Sequence, residues 1–307
     1  MSTPEPAIDA AGLDAPAAPA IYGRPPVLRT LIRREFWEHR ALWIAPLSVA
    51  ALLLLGAIIG KTNFDFGNIS LPEQRRALFG VVMAYASVPQ FLTLGLIISM
   101  YAADCLYTER KDRSILFWKS MPVSDTLTVL SKLLVVMVLV PFGVYLLSAL
   151  TTLLTSAIYF VRAWQAHAPD VFWDAGTWLR IQGISFISVV AGVLWYAPIT
   201  ALLLLVSAWA RRSVWLWVIL PPLVIITMEW FALRTHHVWD ILIYRLGTVF
   251  VHAEVSTSSN PHLTLNLLFA NIDPLPVFAN ADLWLGVGVA AVLIVATIRI
   301  RQYRDDT

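Results

Sequence analysis

Three observations predict an all-α membrane protein with six transmembrane helices. Hydrophobic residues fill 58% of the 307 positions, charged residues only 14%, and the mean hydropathy is +0.71. A soluble domain carries roughly 25% charged residues. Long uncharged runs recur along the chain, and a helix needs about 20 apolar residues to cross the ~30 Å hydrocarbon core. Lys and Arg crowd alternate connections between those runs, as the positive-inside bias requires. The single cysteine, Cys105, excludes an internal disulfide framework and any multi-cysteine metal site.

Residues 1–27 are rich in Pro and Ala ("STPEPAIDAAGLDAPAAPA") and lack a basic stretch followed by an apolar one. They read as a disordered cytoplasmic tail, not a secretory signal. Next comes "VLRTLIRREFWEHRALW", where Leu28, Leu31, Ile32, Phe36 and Trp43 recur at helical spacing. Arg29, Arg33, Glu38 and Arg40 lie away from that stripe. The pattern predicts an N-terminal helix lying in the membrane interface, and it also fits an extension of the first span.

Ala41–Gly60, Ala77–Ala103, Leu133–Val161 and Ile181–Ala210 carry no charge. Ser213–Leu233 is interrupted only by Glu229. Leu283–Ile298 is short, and needs Asp282 and Arg299 to snorkel. With the N-terminus inside, fifteen Lys and Arg fall in cytoplasmic segments against seven outside. That predicts a multi-pass protein of the bacterial inner or plasma membrane with both termini cytoplasmic. Trp43, Trp209 and Trp215 then mark the inner interface, and Trp164, Trp178, Trp230 and Trp284 the outer one. The 49-residue outer segment 234–282 is too apolar for a plain loop, and "VWDILIYRLGTVFV" and "HLTLNLLFANI" read as short helices within it.

Several patterns attract a reading they do not sustain. "GAIIGKT", Gly56 to Thr62, has three residues between its glycines and follows no strand, so it lacks the context of a phosphate loop. Gly56 and Gly60 read more simply as a small-residue packing face. His236, His237, His252 and His262, with Asp240 and Glu254, match no metal-binding spacing. Glu229, an acid well inside a span, fits either a cavity lining or an interfacial anchor. Pro46, Pro89, Pro141, Pro198 and the pair Pro221-Pro222 interrupt five spans, as moving hinges or as static kinks. Pro89, its neighbour Gln90, Pro221, Pro222 and Glu229 are the pathway or hinge candidates. No hydrolase elbow, carboxylate pair, zinc motif or redox motif is present, so no catalytic, metal or cofactor-binding residue is assigned.

The densest charge lies in "TERKDRSILFWKSMPVSD", Thr108 to Asp125, with three acids and four bases between the second and third spans. Ile115, Leu116, Phe117, Trp118 and Met121 are placed there in water. Pro122 stops any helix, and Ser124 or Asp125 can cap the next one. The pattern predicts a short cytoplasmic helix with an exposed apolar face rimmed by charge, which marks a protein interaction site.

At these residues the sequence resembles the permease subunits of type-two ABC exporters. Glu109-Arg110 match that family's acid–base pair, Leu116 its leucine-rich turn, Pro122-Val123-Ser124 its proline motif, and Lys132 the lysine opening the third span. Arg113-Ser114 stand where the family has Gly-Thr, a departure at the turn before the helix. "IRREFWEHR" also looks like the family's N-terminal interfacial helix. The resemblance implies a coupling helix at about residues 113–121 that docks a separate cytoplasmic ABC ATPase. ATP and Mg would sit on that partner, with none bound by this chain. Two permease copies, identical or related, would assemble in lipid with spans two and five at their contact, and no nucleic acid is involved. Glu109 and Arg110 would anchor the loop, with Arg113, Ser114 and Pro122 shaping it and Leu116, Trp118 and Met121 filling an apolar groove on the ATPase. The kinked, sparsely charged spans lean toward a lipid-like or amphipathic cargo. Two other readings stay open: a non-catalytic membrane scaffold, and a permease whose cycle moves a periplasmic partner protein.

Overall fold

In lipid, each backbone N–H and C=O must be satisfied within its own segment or a closed barrel. A chain this apolar answers with helices. The computed structural model describes residues 27–60, 83, 86–112, 114, 123–165, 175–211, 213–251 and 275–303. No strand occurs among the described residues, and six helices are long and apolar enough to cross a membrane. The predicted tail, most of the predicted short helix at 113–121, and "HLTLNLLFANI" lie outside the described residues.

Helix α1 (Val27–Glu38) is separated from α2 (Ala41–Ile59) by a break at His39 and Arg40. The second span is α3, Val88–Lys111, with 24 residues. It runs eight residues beyond the predicted end at Ala103, through Asp104 and Glu109 to Arg110 and Lys111, whose cations suit a helix C-terminus. Pro89 lies in the first turn of α3, where its missing N–H is one of the unpaired donors anyway. It is not the mid-span kink that the sequence predicts.

The third span joins α4 (Asp125–Leu134), a π-helical turn (Val135–Leu139) and α5 (Val140–Gln165). Ser124 caps α4, its hydroxyl accepting from the Leu127 N–H at 3.2 Å. The π turn ends two residues before Pro141, so the ladder shifts register where a proline would break it. At 1.5 Å per residue the apolar stretch from Asp125 to Arg162, 38 residues, is about 57 Å long. Together with α6 (Ala175–Trp209), it exceeds the ~30 Å core.

Helix α6 is the hub, packing against α10 (Ala281–Tyr303), α3, α5, α7 (Val214–Leu233) and α8 (His237–Val251). Ala102, Ala103, Ala201 and Ala290 are all but fully buried and let backbones approach closely. A Cβ added at Gly56, by contrast, would meet nothing within 4 Å outside its own helix turn, so no close packing partner lies against it among the described residues. Helix α7 packs least: apart from Val214 none of its side chains is buried. Helix α10 has 23 residues, longer than predicted, because Arg301 turns inward and is paired, so its charge does not end the span.

Helix α8 confirms one of the short helices expected in segment 234–282, and it folds back against α6 and α10. Its Arg245 guanidinium lies 4.4 Å from the Trp195 ring centroid and donates to the Asp282 carbonyl at 3.0 Å. Trp195 Nε1 returns a bond to the Arg245 carbonyl at 2.9 Å, and Tyr196 Oη donates to the Leu246 carbonyl at 2.8 Å. A four-residue helix, α9 (Pro276–Ala279), precedes α10.

Gly286 makes room for this arrangement, since an added Cβ would overlap the Arg245 guanidinium. We expect Gly286→Ala to lower the thermal unfolding midpoint in detergent through displacement of the cation from Trp195, a loss of about 1 kcal/mol. In an Arg245→Ala background the same change should cost nothing further. An equal loss in both backgrounds would show that Gly286 serves something else.

Candidate functional site

At the end of the bundle where α1 lies, four helices bring six charges together in a largely buried node. Helix α1 supplies Arg34 and Glu35, α3 supplies Glu109, α4 supplies Asp125 and Lys132, and α10 supplies Arg301. Lys132 Nζ donates to Glu35 Oε1 at 2.7 Å and stands 3.1 Å from Glu109 Oε1. Arg301 donates through Nη1 to Glu109 Oε2 at 2.8 Å and through Nε to Asp125 Oδ1 at 3.0 Å. Arg34 Nη2 lies 3.5 Å from Glu109 Oε1, and its Nε pairs with Glu38 at the helix surface. Tyr101 Oη donates to Glu35 Oε2 at 2.7 Å. The side chains of Lys132, Glu35 and Glu109 are 0%, 1% and 4% exposed.

Local sequence explains the placement. Glu35 follows Leu31 by four residues and Ile32 by three, so it rides on the apolar stripe of α1. Arg301 extends the buried stripe of α10 that runs through Leu283, Gly286, Ala290 and Thr297. Because Ser124 caps α4, Asp125 is left to meet Arg301. Three acids and three bases sum to zero. Buried ion pairs compensate their desolvation only when geometry is good and the charges balance.

Arg110, next to Glu109, points elsewhere. Its Nη2 donates to the carbonyls of Ser207 and, at 2.8 Å, Ala210, and so caps the C-terminus of α6. The buried Ser207 Oγ accepts from the Leu106 and Tyr107 N–H groups at 3.1 and 3.0 Å, fixing α6 against α3. Ser114 Oγ donates to the Glu109 carbonyl at 3.1 Å. Arg113, Leu116, Trp118, Met121 and Pro122 lie outside the described residues. Of the loop residues singled out in the sequence, the structure therefore joins Glu109 to Lys132 and sends Arg110 to another helix.

The pathway candidates do not converge. Gln90 is fully buried, and its Nε2 donates to Thr151 Oγ1 at 3.0 Å. Gln182 makes the similar bond to Thr152 Oγ1 at 3.3 Å, so a polar seam joins α3, α5 and α6. Pro221 and Pro222 sit within α7, which continues through them unbroken. Glu229 accepts from Thr235 Oγ1 at 2.8 Å and from the His237 and Val238 N–H groups at 2.7 and 2.9 Å. It caps the N-terminus of α8, an anchoring position. Among the described residues no three His, Cys, Asp or Glu side chains are grouped to hold a metal ion.

His39, in the break before α2, packs edge-on to Tyr101 with ring centroids 4.8 Å apart. Burial holds its imidazole below the usual range. The Lys132 ammonium acts in the same direction, against the opposing pull of Glu35, Asp104 and Glu38. No protein-family model, curated protein or solved structure matches the chain.

Removing Lys132 takes the paired cation from the buried Glu35 and one of three from Glu109. Lys132→Met should cost about 3–5 kcal/mol in unfolding assays in detergent. The double variant with Glu35→Gln should lose less than the sum of the two singles. Strict additivity would show that the pair is not coupled. For His39, the unfolded chain takes up its proton first, at a pH of about 6.5. Its contribution is thus intact above that pH and is lost as the pH falls toward the lower folded-state value. The midpoint advantage of wild type over His39→Gln should shrink on acidification from about pH 7.5 to about pH 5.5; a constant difference would rule this out.

Proposed function

We propose that this chain is the membrane-spanning permease subunit of an ATP-driven ABC exporter, energised by a separate cytoplasmic ATPase docked between α3 and α4. One observation carries the reading. Glu109 and Lys132, two positions of the loop pattern behind the resemblance, meet in the same buried node as Glu35 from "IRREFWEHR". Two positions of the loop pattern are thus partners in space, and the N-terminal stretch that looks like the family's interfacial helix supplies the third. The six-span helical architecture is what such a subunit requires.

In this reading the node faces the cytoplasm of a bacterial inner or plasma membrane, and both termini lie on that side. Helix α1 rests in the inner interface, and residues 113–121 form the coupling helix. Leu116, Trp118 and Met121 enter an apolar groove of the ATPase, which holds ATP and Mg. A second permease copy, identical or related, meets α3 and α7. The near-complete exposure of α7 suits a helix whose partner is another chain or lipid. A pull on the coupling helix reaches α1, α4 and α10 through Glu109, and α6 through Arg110. The cargo is lipid-like or amphipathic.

The test is co-purification of the tagged protein in mild detergent, with ATP hydrolysis assayed on the same sample. A stoichiometric ATPase should accompany the wild type and be lost, with membrane insertion intact, from Leu116→Asp/Met121→Asp. Retention by that variant would move the interface elsewhere. No ATPase with the wild type in any of several detergents would favour the membrane scaffold instead.

A further inference from the structure

At the node end of the bundle, a cavity of about 640 Å³ opens beside the connection between α6 and α7. Trp209, Ala210, Arg211, Trp217, Ile300 and Tyr303 line it. Its size falls in the range of small-ligand sites, roughly 300–1,000 Å³. Its chemistry is divided. Trp209 and Trp217 stack edge-to-face with centroids 4.6 Å apart, giving an aromatic wall at one side. Arg211 is one of the lining residues, and Arg299 Nη1 donates to Oη of the lining Tyr303 at 3.3 Å, which brings a second cation beside it. The wall continues into the exposed apolar surface of α7 through Trp217, Leu220 and Val224.

We infer that this cavity binds one anionic glycerophospholipid, its phosphate between Arg211 and Arg299 and its acyl chains along α7. Amphipathic Trp and Tyr rings sit at headgroup level, and arginine is the residue suited to phosphate oxygens. The obvious objection is the C-terminus of α6, whose open carbonyls would repel an anion. Arg110 answers it. Its guanidinium occupies the Ser207 and Ala210 carbonyls, and Ala210 lines the cavity, so the helix end beside it meets a cation instead of leaving its partial negative charge open. No carboxylate lines the cavity among the described residues. A neutral detergent or zwitterionic lipid would satisfy the aromatic wall but bring no net charge to Arg211 and Arg299. The inference stands on charge and shape alone, and does not depend on the transport reading.

The test is native mass spectrometry of the full-length protein in detergent, titrated with phosphatidylglycerol or with phosphatidylcholine of the same chains. One phosphatidylglycerol per protomer should bind roughly twenty-five-fold more tightly than phosphatidylcholine, a factor of about five for each of two arginines. Arg211→Gln/Arg299→Gln should abolish that preference. Both side chains are exposed, so the variant folds as the wild type does. Arg234→Gln, at the opposite end of α7, should keep the preference. Equal binding of the two lipids, or a preference that survives in the double variant, would overturn the inference.

Discussion

Much of this structure hangs on the Glu109 carboxylate. It lies between Lys132 and Arg301, with one oxygen toward each. A carboxylate with 4% exposure is tolerable only where cations surround it, and these cations come from helices on either side. Lys132 carries the connection on to Glu35 and α1, and Arg301 carries it to Asp125. Glu109 and Arg301 are 192 positions apart, so a single shared anion closes the last span against the second. Apolar packing in lipid is poor at choosing between similar helix faces, because the tails are as apolar as the side chains. Paired charges choose sharply.

The opposite end is held by weaker and more local means. Arg245 rests on an aromatic face and a carbonyl, Tyr196 on another carbonyl, and Glu229 on two N–H groups and a hydroxyl. Helix α7 runs between these two regimes. It follows the α6 terminus that Arg110 closes and ends where Glu229 caps α8, yet buries almost nothing along its length. It is fastened at both ends and covered by neither.

The apolar runs made most of the architecture legible. Span one and span five lie within a residue of the stretches marked by the absence of charge. The failures share a physical cause, which is charge that is paired inside the fold. Counting charges ended span two at Ala103 and span six at Ile298, but Glu109 and Arg301 are helical because each supplies the other's counter-ion. Glu35 was overlooked although its spacing from Leu31 and Ile32 puts it on the apolar stripe. A charge at a core position is the readable sign of a buried partner. Ser207 carried no such sign: a serine in an apolar helix bonds back to its own turn more often than it ties two helices together. Pro89 was misplaced because where a helix begins decides whether proline bends it or starts it.

Glu109 and Arg110 read as one acid–base pair in the sequence, and the fold shows why they cannot act as one. Neighbouring residues on a helix project about 100° apart and do not face each other. On α3 that angle directs Glu109 toward α1, α4 and α10, and Arg110 toward the end of α6. Both contacts lie in the last turn of α3, which ends at Lys111. A shift of that turn would therefore act at once on two separate groups of helices. The adjacency of acid and base is a way of addressing both sides of the bundle from one point, and neither residue can be exchanged for the other without losing a contact on each side.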